Sequence, residues 1–152
     1  MEALEKFSLF KGLSHDCLAE ISLFSKERAY SAGEVIISEN QVGSYNLYLL
    51  VDGEVEITTN KTNRISQEAV LSREKKELLG ELSWLLEVKR TATVKALGDT
   101  EVIEIEGKQL TEYLRAHPHI GYIIMERVAK LIASRLSESD TLLKQILWNS
   151  NI

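Results

Sequence analysis

Two apolar rhythms divide this chain, a helical one at each end and an alternating one between them. Ser14 can cap a helix that runs through Leu18, Ile21, Leu23 and Phe24, whose spacing suits one helix face. A shorter helical piece is expected around Leu4 and Phe7, set apart by Lys11 and Gly12. From Ala29 the period changes. A turn at Tyr30–Gly33 leads into a strand at Glu34–Ile37, and Gly43 with Ser44 marks a second turn. Asn46–Val51 is apolar enough for a strand buried on both faces, and Asp52-Gly53 is the strongest hairpin signal in the sequence. Glu54–Thr58 alternates as a half-buried strand should. Residues 59–77 are polar apart from Ala69–Leu71 and read as a hairpin with its tip near Asn60–Asn63. Thr91–Ala96 and Glu101–Glu106 are further strands, separated by a turn at Gly98-Asp99. Seven or eight short strands with glycine-containing turns predict an antiparallel barrel or jelly roll.

After Gly107 the period is helical again. Gln109–His117 forms one helix, and Pro118 either ends it or opens the next. From His119, the residues Ile120, Ile123, Ile124, Val128, Leu131, Ile132 and Leu136 mark several turns, with Leu142, Leu143, Ile146 and Leu147 beyond a polar stretch. Unbroken, 119–147 would be about 43 Å long at 1.5 Å per residue. That exceeds what a small barrel needs as cover, so self-association through this helix is expected.

Composition narrows the classes. With 152 residues, one domain with a sizeable core is the default. The net charge of -5 argues against a nucleic-acid-binding face, which needs clustered Lys and Arg. Cys17 is the sole cysteine, so no disulfide framework exists, and its apolar neighbours suit a packed thiol. The N-terminus carries acidic residues and no long apolar stretch, unlike a signal peptide. No run approaches the ~18 apolar residues of a membrane span. A cytoplasmic protein with no membrane partner is expected.

The stretch with most chemistry is GELSWLLEVKRTATV, residues 80–94. A helical turn opening after Gly80 presents free N–H groups, from Leu82 and Ser83, which favour an anion. Arg90 offers a planar fork that suits phosphate oxygens. Glu81, ionised, only accepts, so it suits a hydroxyl rather than a phosphate. Together these describe a ligand with one negative phosphate and a sugar hydroxyl, with Trp84–Leu86 folded inward beneath it. An ordinary surface Glu-Arg pair beside an amphipathic turn accounts for the same spacing.

This stretch closely resembles the phosphate-binding cassette of the cyclic-nucleotide-binding domain family, which runs Gly-Glu-Leu-Ala, an apolar stretch, then Arg-(Ala/Thr/Ser)-Ala-Thr-Val. LFKGLS, AGEVII, LYLLVDGEVEI and LRAHPHIGYIIMERVAKLIASRL resemble the family's N-terminal segment, early strands and last helices in its bacterial catabolite-activator-like branch. The resemblance covers nearly the whole chain. It implies a mainly β fold, an eight-stranded antiparallel β-roll or jelly roll flanked by helices. As one domain over 1–152, this places N-terminal helices at 1–28, the roll at 29–107 and C-terminal helices at 108–152.

The resemblance also implies a ligand set of Leu79, Gly80, Glu81, Leu82, Ser83, Arg90, Thr91 and Ala92. Glu81 would take the ribose 2′-hydroxyl and Arg90 the phosphate, and Thr91 hints at cGMP without excluding cAMP. The implied activity is a regulatory module that binds cAMP or cGMP and signals through its last helix, with no catalysis, cofactor or metal. In bacterial relatives that helix covers the base and forms a homodimer; a downstream effector protein is implied but not identified. The sequence ends where transcriptional members begin a helix-turn-helix domain, which with the acidic charge argues against DNA binding.

Four positions depart from the family pattern: Lys76 or a neighbour and Asn40 stand where glycines are usual, Lys89 replaces a proline, and Trp84 is bulkier than the usual aliphatic residue. These departures support an alternative, a degenerate roll kept for structure or dimerisation. His117 and His119 flank Pro118, but two histidines without a third ligand make a poor metal site. No nucleophile elbow or P-loop pattern occurs.

Overall fold

A computed structural model describes residues 2–62, 65–72 and 77–150. Two short helices open the chain, α1 (Glu2–Glu5) and α2 (His15–Ser22). Ser14 caps α2, its Oγ accepting from the Cys17 N–H at 3.2 Å. The helix ends earlier than its apolar spacing predicts: Leu23 is the C-cap and is exposed, while Phe24 lies beyond it and packs on the core. Cys17 is a buried, packed thiol.

Eight strands follow: β1 (Ser25–Tyr30), β2 (Val35–Ile37), β3 (Leu47–Asp52), β4 (Glu54–Thr62), β5 (Ile65–Ser72), β6 (Leu78–Leu79), β7 (Thr93–Ala96) and β8 (Thr100–Ile105). They form two antiparallel sheets, ordered β1-β8-β3-β6 and β2-β7-β4-β5. The roll therefore begins at Ser25, not at Ala29. Residues 25–28, assigned to the N-terminal helices by the sequence, are β1, paired along its whole length with β8. Its SKERAY sequence hides it, because four successive residues of this edge strand are exposed and charged or small.

Asp52-Gly53 is a corner rather than a hairpin. β3 pairs with β6 and β8, whereas β4 pairs with β5 and β7, so the chain changes sheets here. The dipeptide correctly signals a positive φ, 100° at Gly53. Its choice of glycine is steric as well, since a Cβ would lie 2.7 Å from Thr100 Oγ1 and 2.8 Å from Asp99 O. The expected hairpin does form between β4 and β5. Its strands stop at Thr62 and resume at Ile65, so Asn63 lies outside the described residues.

β3 explains why one strand lacks alternation. Leu47 and Leu49 face the helices, packing with Phe7, Phe10, Ile103, Leu110 and Ile124. Tyr48 and Leu50 face the roll interior with Ile37, Val55, Leu79 and Val94. Both faces are buried, so both are apolar. β6 divides the same way, Leu78 to the helices and Leu79 to the interior.

α3 (Glu81–Leu86) interrupts the strands, and α4 (Gly107–Ala116) and α5 (Pro118–Ser150) end the chain. Pro118 opens α5, where its missing N–H costs nothing. α5 is continuous over 33 residues, about 50 Å. Its first half packs through Ile124 and Val128, while Leu136, Leu142, Leu143, Ile146 and Leu147 further along are exposed. Among the described residues no helix is long and apolar enough to cross a membrane. His117 sits at the elbow between α4 and α5, stacked on Tyr113 at 4.2 Å and 3.8 Å from a Glu20 carboxylate oxygen.

Candidate functional site

Gly80 is the cap of α3 at φ 86°, and a Cβ there would meet Arg90 Nη1 at 2.8 Å and Asn46 O at 2.9 Å. Only glycine satisfies both the left-handed backbone and this close approach. α3 is bounded at its other end by Glu87, also left-handed at φ 55°. It begins at Glu81, where a short helix over Leu82–Leu86 is what the sequence predicts, so Leu82 and Ser83 stand in its first turn, where N–H groups have no partner within the helix. Trp84 is buried and Leu85 packs on the core, but Leu86 points outward, 64% exposed, contrary to its predicted inward position.

The backbone of residue 90 is clipped to the turn that follows β2. Arg90 N–H donates to Gln41 O and Asn40 N–H to Arg90 O, each at 2.9 Å. Asn40 makes this possible by adopting φ 70°, the conformation a glycine would supply and one that asparagine tolerates. Lys89 lacks the stiffness of a proline, but its carbonyl accepts from Ser83 Oγ at 3.4 Å. Two of the departures are thus accommodated locally. Lys76 lies outside the described residues.

The Arg90 side chain is 2% exposed. Its guanidinium donates to Gly80 O (3.3 Å), Ser44 Oγ (3.2 Å) and Asn46 O (2.8 Å), all neutral oxygens, and lies 5.9 Å from the centre of the Tyr48 ring. Nε is buried without a partner. Among the described residues no carboxylate forms an ion pair with it. Burial pushes the guanidinium down from its usual value, opposed by Tyr48, Glu104 and Glu81, yet arginine stays a cation. A buried cation held only by neutral dipoles is incompletely compensated, and an anion placed beside it gains accordingly.

Glu81 is also buried, but a cation already reaches it. Arg135 of α5 forms an ion pair with its Oε1, and Arg135 Nη2 donates to Leu78 O at 3.1 Å. Sequence reasoning missed Arg135, which lies 54 positions from Glu81. One signal was available: Arg135 stands seven residues after the buried Val128, two helical turns along the same face.

All eight residues expected to bind ligand, 79–83 and 90–92, border a single small cavity of about 60 Å³, with Ile37, Ile57 and Val94 as apolar wall. Thr91 is at its exposed rim. The arrangement can hold an anion at Arg90 and a hydroxyl at Glu81 in one space. A larger groove of about 520 Å³ lies between α3 and the α4–α5 elbow, but its Glu87 and Arg115 are exposed and no buried charge lines it.

Comparison with known proteins identifies the family and the fold. The cyclic nucleotide-binding domain model matches residues 27–117, more than half of the chain. The cAMP-dependent protein kinase regulatory subunit of Mycosarcoma maydis is 35% identical over 127 residues, 80% of this chain and 23% of its own length. The cyclic AMP receptor protein of Thermus thermophilus is 30% identical over 133 residues, 87% of this chain and 58% of its own. This chain therefore spans less than two thirds of either relative. The solved catabolite activator protein of Thermus thermophilus superposes with a TM-score of 0.72 at 28% identity, over 91% of this chain and 62% of that one. A cyclic nucleotide-binding domain from Methylobacillus flagellatus shares the fold with a TM-score of 0.78 at 23% identity, over 95% and 80%. The match spans the roll and its cassette, and the chain belongs to the cyclic nucleotide-binding domain family.

Proposed function

We propose that this chain is a single regulatory module that binds a cyclic mononucleotide, cAMP or cGMP, and passes its occupancy on through α5. The observation that carries the reading is Arg90, a buried guanidinium on neutral oxygens with one N–H unpartnered, facing a cavity that Glu81 also borders. A cyclic phosphodiester supplies one negative charge to Arg90 and to the first-turn N–H groups of Leu82 and Ser83. The ribose 2′-hydroxyl donates to Glu81. The base extends past Thr91 toward α5.

Signalling follows from the Arg135 pair. A sugar hydroxyl must share or displace the contact between Glu81 and Arg135, so ligand and helix are energetically linked. The cavity of about 60 Å³ has room for a few waters, so a nucleotide also requires it to open. The exposed apolar residues on the second half of α5 recur every three or four positions, which suits pairing with a second copy.

Calorimetric titration with cAMP and cGMP tests the reading. Saturable heat with one of them is expected, and cAMP is the first to try because both curated relatives carry it in their names. The same samples, analysed by chromatography, should return the nucleotide intact, as expected of a binding module and not of an enzyme.

A further inference from the structure

Gly107, the first residue of α4, is gripped from two directions by parts of the site. On one side, the Trp84 indole N–H donates to Gly107 O (3.1 Å) and to Thr111 Oγ1 (2.9 Å). Thr111 Oγ1 itself donates to Gly107 O at 3.0 Å, closing a compact set of bonds on the first turn of α4. On the other side, Asn46 Oδ1 accepts the Gly107 N–H at 3.1 Å. This bond replaces a local cap, since the Glu106 side chain accepts from Gln109 and caps no backbone N–H of the helix. Asn46 Nδ2 donates to Glu104 at 2.9 Å, which fixes the amide's orientation. The backbone leaves no slack: a Cβ on Gly107 would lie 2.0 Å from Tyr45 O and 2.9 Å from Trp84 Cδ1.

Each grip has its other end in the cassette. Trp84 belongs to α3, whose first turn borders the cavity. Asn46 holds Arg90 through its backbone carbonyl, at 2.8 Å. A phosphate that draws Arg90 or α3 toward itself therefore pulls on a partner of Gly107, through its N–H or through its carbonyl. We propose that Gly107 is the joint through which occupancy of the cavity reaches α4 and α5, with Trp84 and Asn46 as positioning residues. This rests on the cavity binding a cyclic nucleotide.

Residue-resolved amide exchange over 107–111, with and without saturating cAMP or cGMP, reads the joint, and calorimetry on the same proteins reads binding separately. In the unaltered protein, nucleotide should change exchange in this turn at least tenfold. Trp84→Phe keeps the ring packing but loses the donor. It should bind nucleotide within threefold of the unaltered protein while its exchange response falls below threefold. Thr111→Val, a milder change that removes one acceptor, should give an intermediate response. Asn46→Ala keeps the carbonyl under Arg90, and at saturating nucleotide its response should also fall below threefold. A full response in Trp84→Phe or Asn46→Ala overturns the joint and leaves nucleotide binding intact. Absence of heat with both nucleotides in the unaltered protein overturns both ideas together.

Discussion

The two charged groups of the cavity are held in opposite ways. Arg90 is fixed by the roll alone: its backbone is clipped to the turn after β2 and its side chain rests on neutral oxygens from 44, 46 and 80. Glu81 is paired with a cation from α5, far along the chain. The first is ready for an anion whatever the last helix does. The second would meet a ligand hydroxyl on a carboxylate that the last helix already holds. On the proposed reading, one side of the site would set affinity and the other would link affinity to conformation.

The sharpest test of this division is Arg90→Ala. Leaving a buried phosphate unpaired costs roughly 2–5 kcal/mol, so calorimetry should show cyclic nucleotide affinity lowered at least tenfold. Equal affinities would remove Arg90 from the site. Glu81→Ala should cost less, about 1.5–3 kcal/mol, the scale of a hydrogen bond to a charged group. Removing the carboxylate also releases Arg135, so this variant should lose part of any ligand-dependent change in α5. Spin labels on α5 and the roll would record that loss, and an undiminished change would break the proposed link.

Arg135→Ala should act mainly on the unliganded protein. It leaves a buried carboxylate without its cation, so the melting temperature should fall. A nucleotide hydroxyl then satisfies Glu81 in its place, and saturating cAMP should raise the melting temperature more than in the unaltered protein. An equal or smaller rise would mean that ligand and Arg135 do not share Glu81. The smallest effect on binding is expected from Leu143→Asp, which places a charge in the exposed apolar part of α5. Sedimentation should show the unaltered protein self-associating and this variant monomeric, with nucleotide affinity little changed.

Much of the cavity was legible in one stretch of sequence because its chemistry is local. The turn at Gly80, the carboxylate at 81 and the arginine at 90 lie within eleven positions, and all eight expected residues border the same space. What sequence could not supply were relations across long separations. Arg135 reads as one more polar residue on a long helix until its partner is known. Asp52-Gly53 encodes a backbone conformation, and nothing in a dipeptide states whether the strands it joins will pair or part. β1 offers no apolar alternation because most of its side chains face solvent. Asn40 shows the converse: a residue that looked like a departure keeps the backbone shape of the glycine it replaces.

The length of α5 has a mechanical consequence. A tilt of about 5° near Pro118 would carry the far end of a helix of about 50 Å through roughly 4 Å. If the proposed joint at Gly107 tilts α5 by that much, Ile146 and Leu147 would move by about a side chain's width, where a second subunit would feel it.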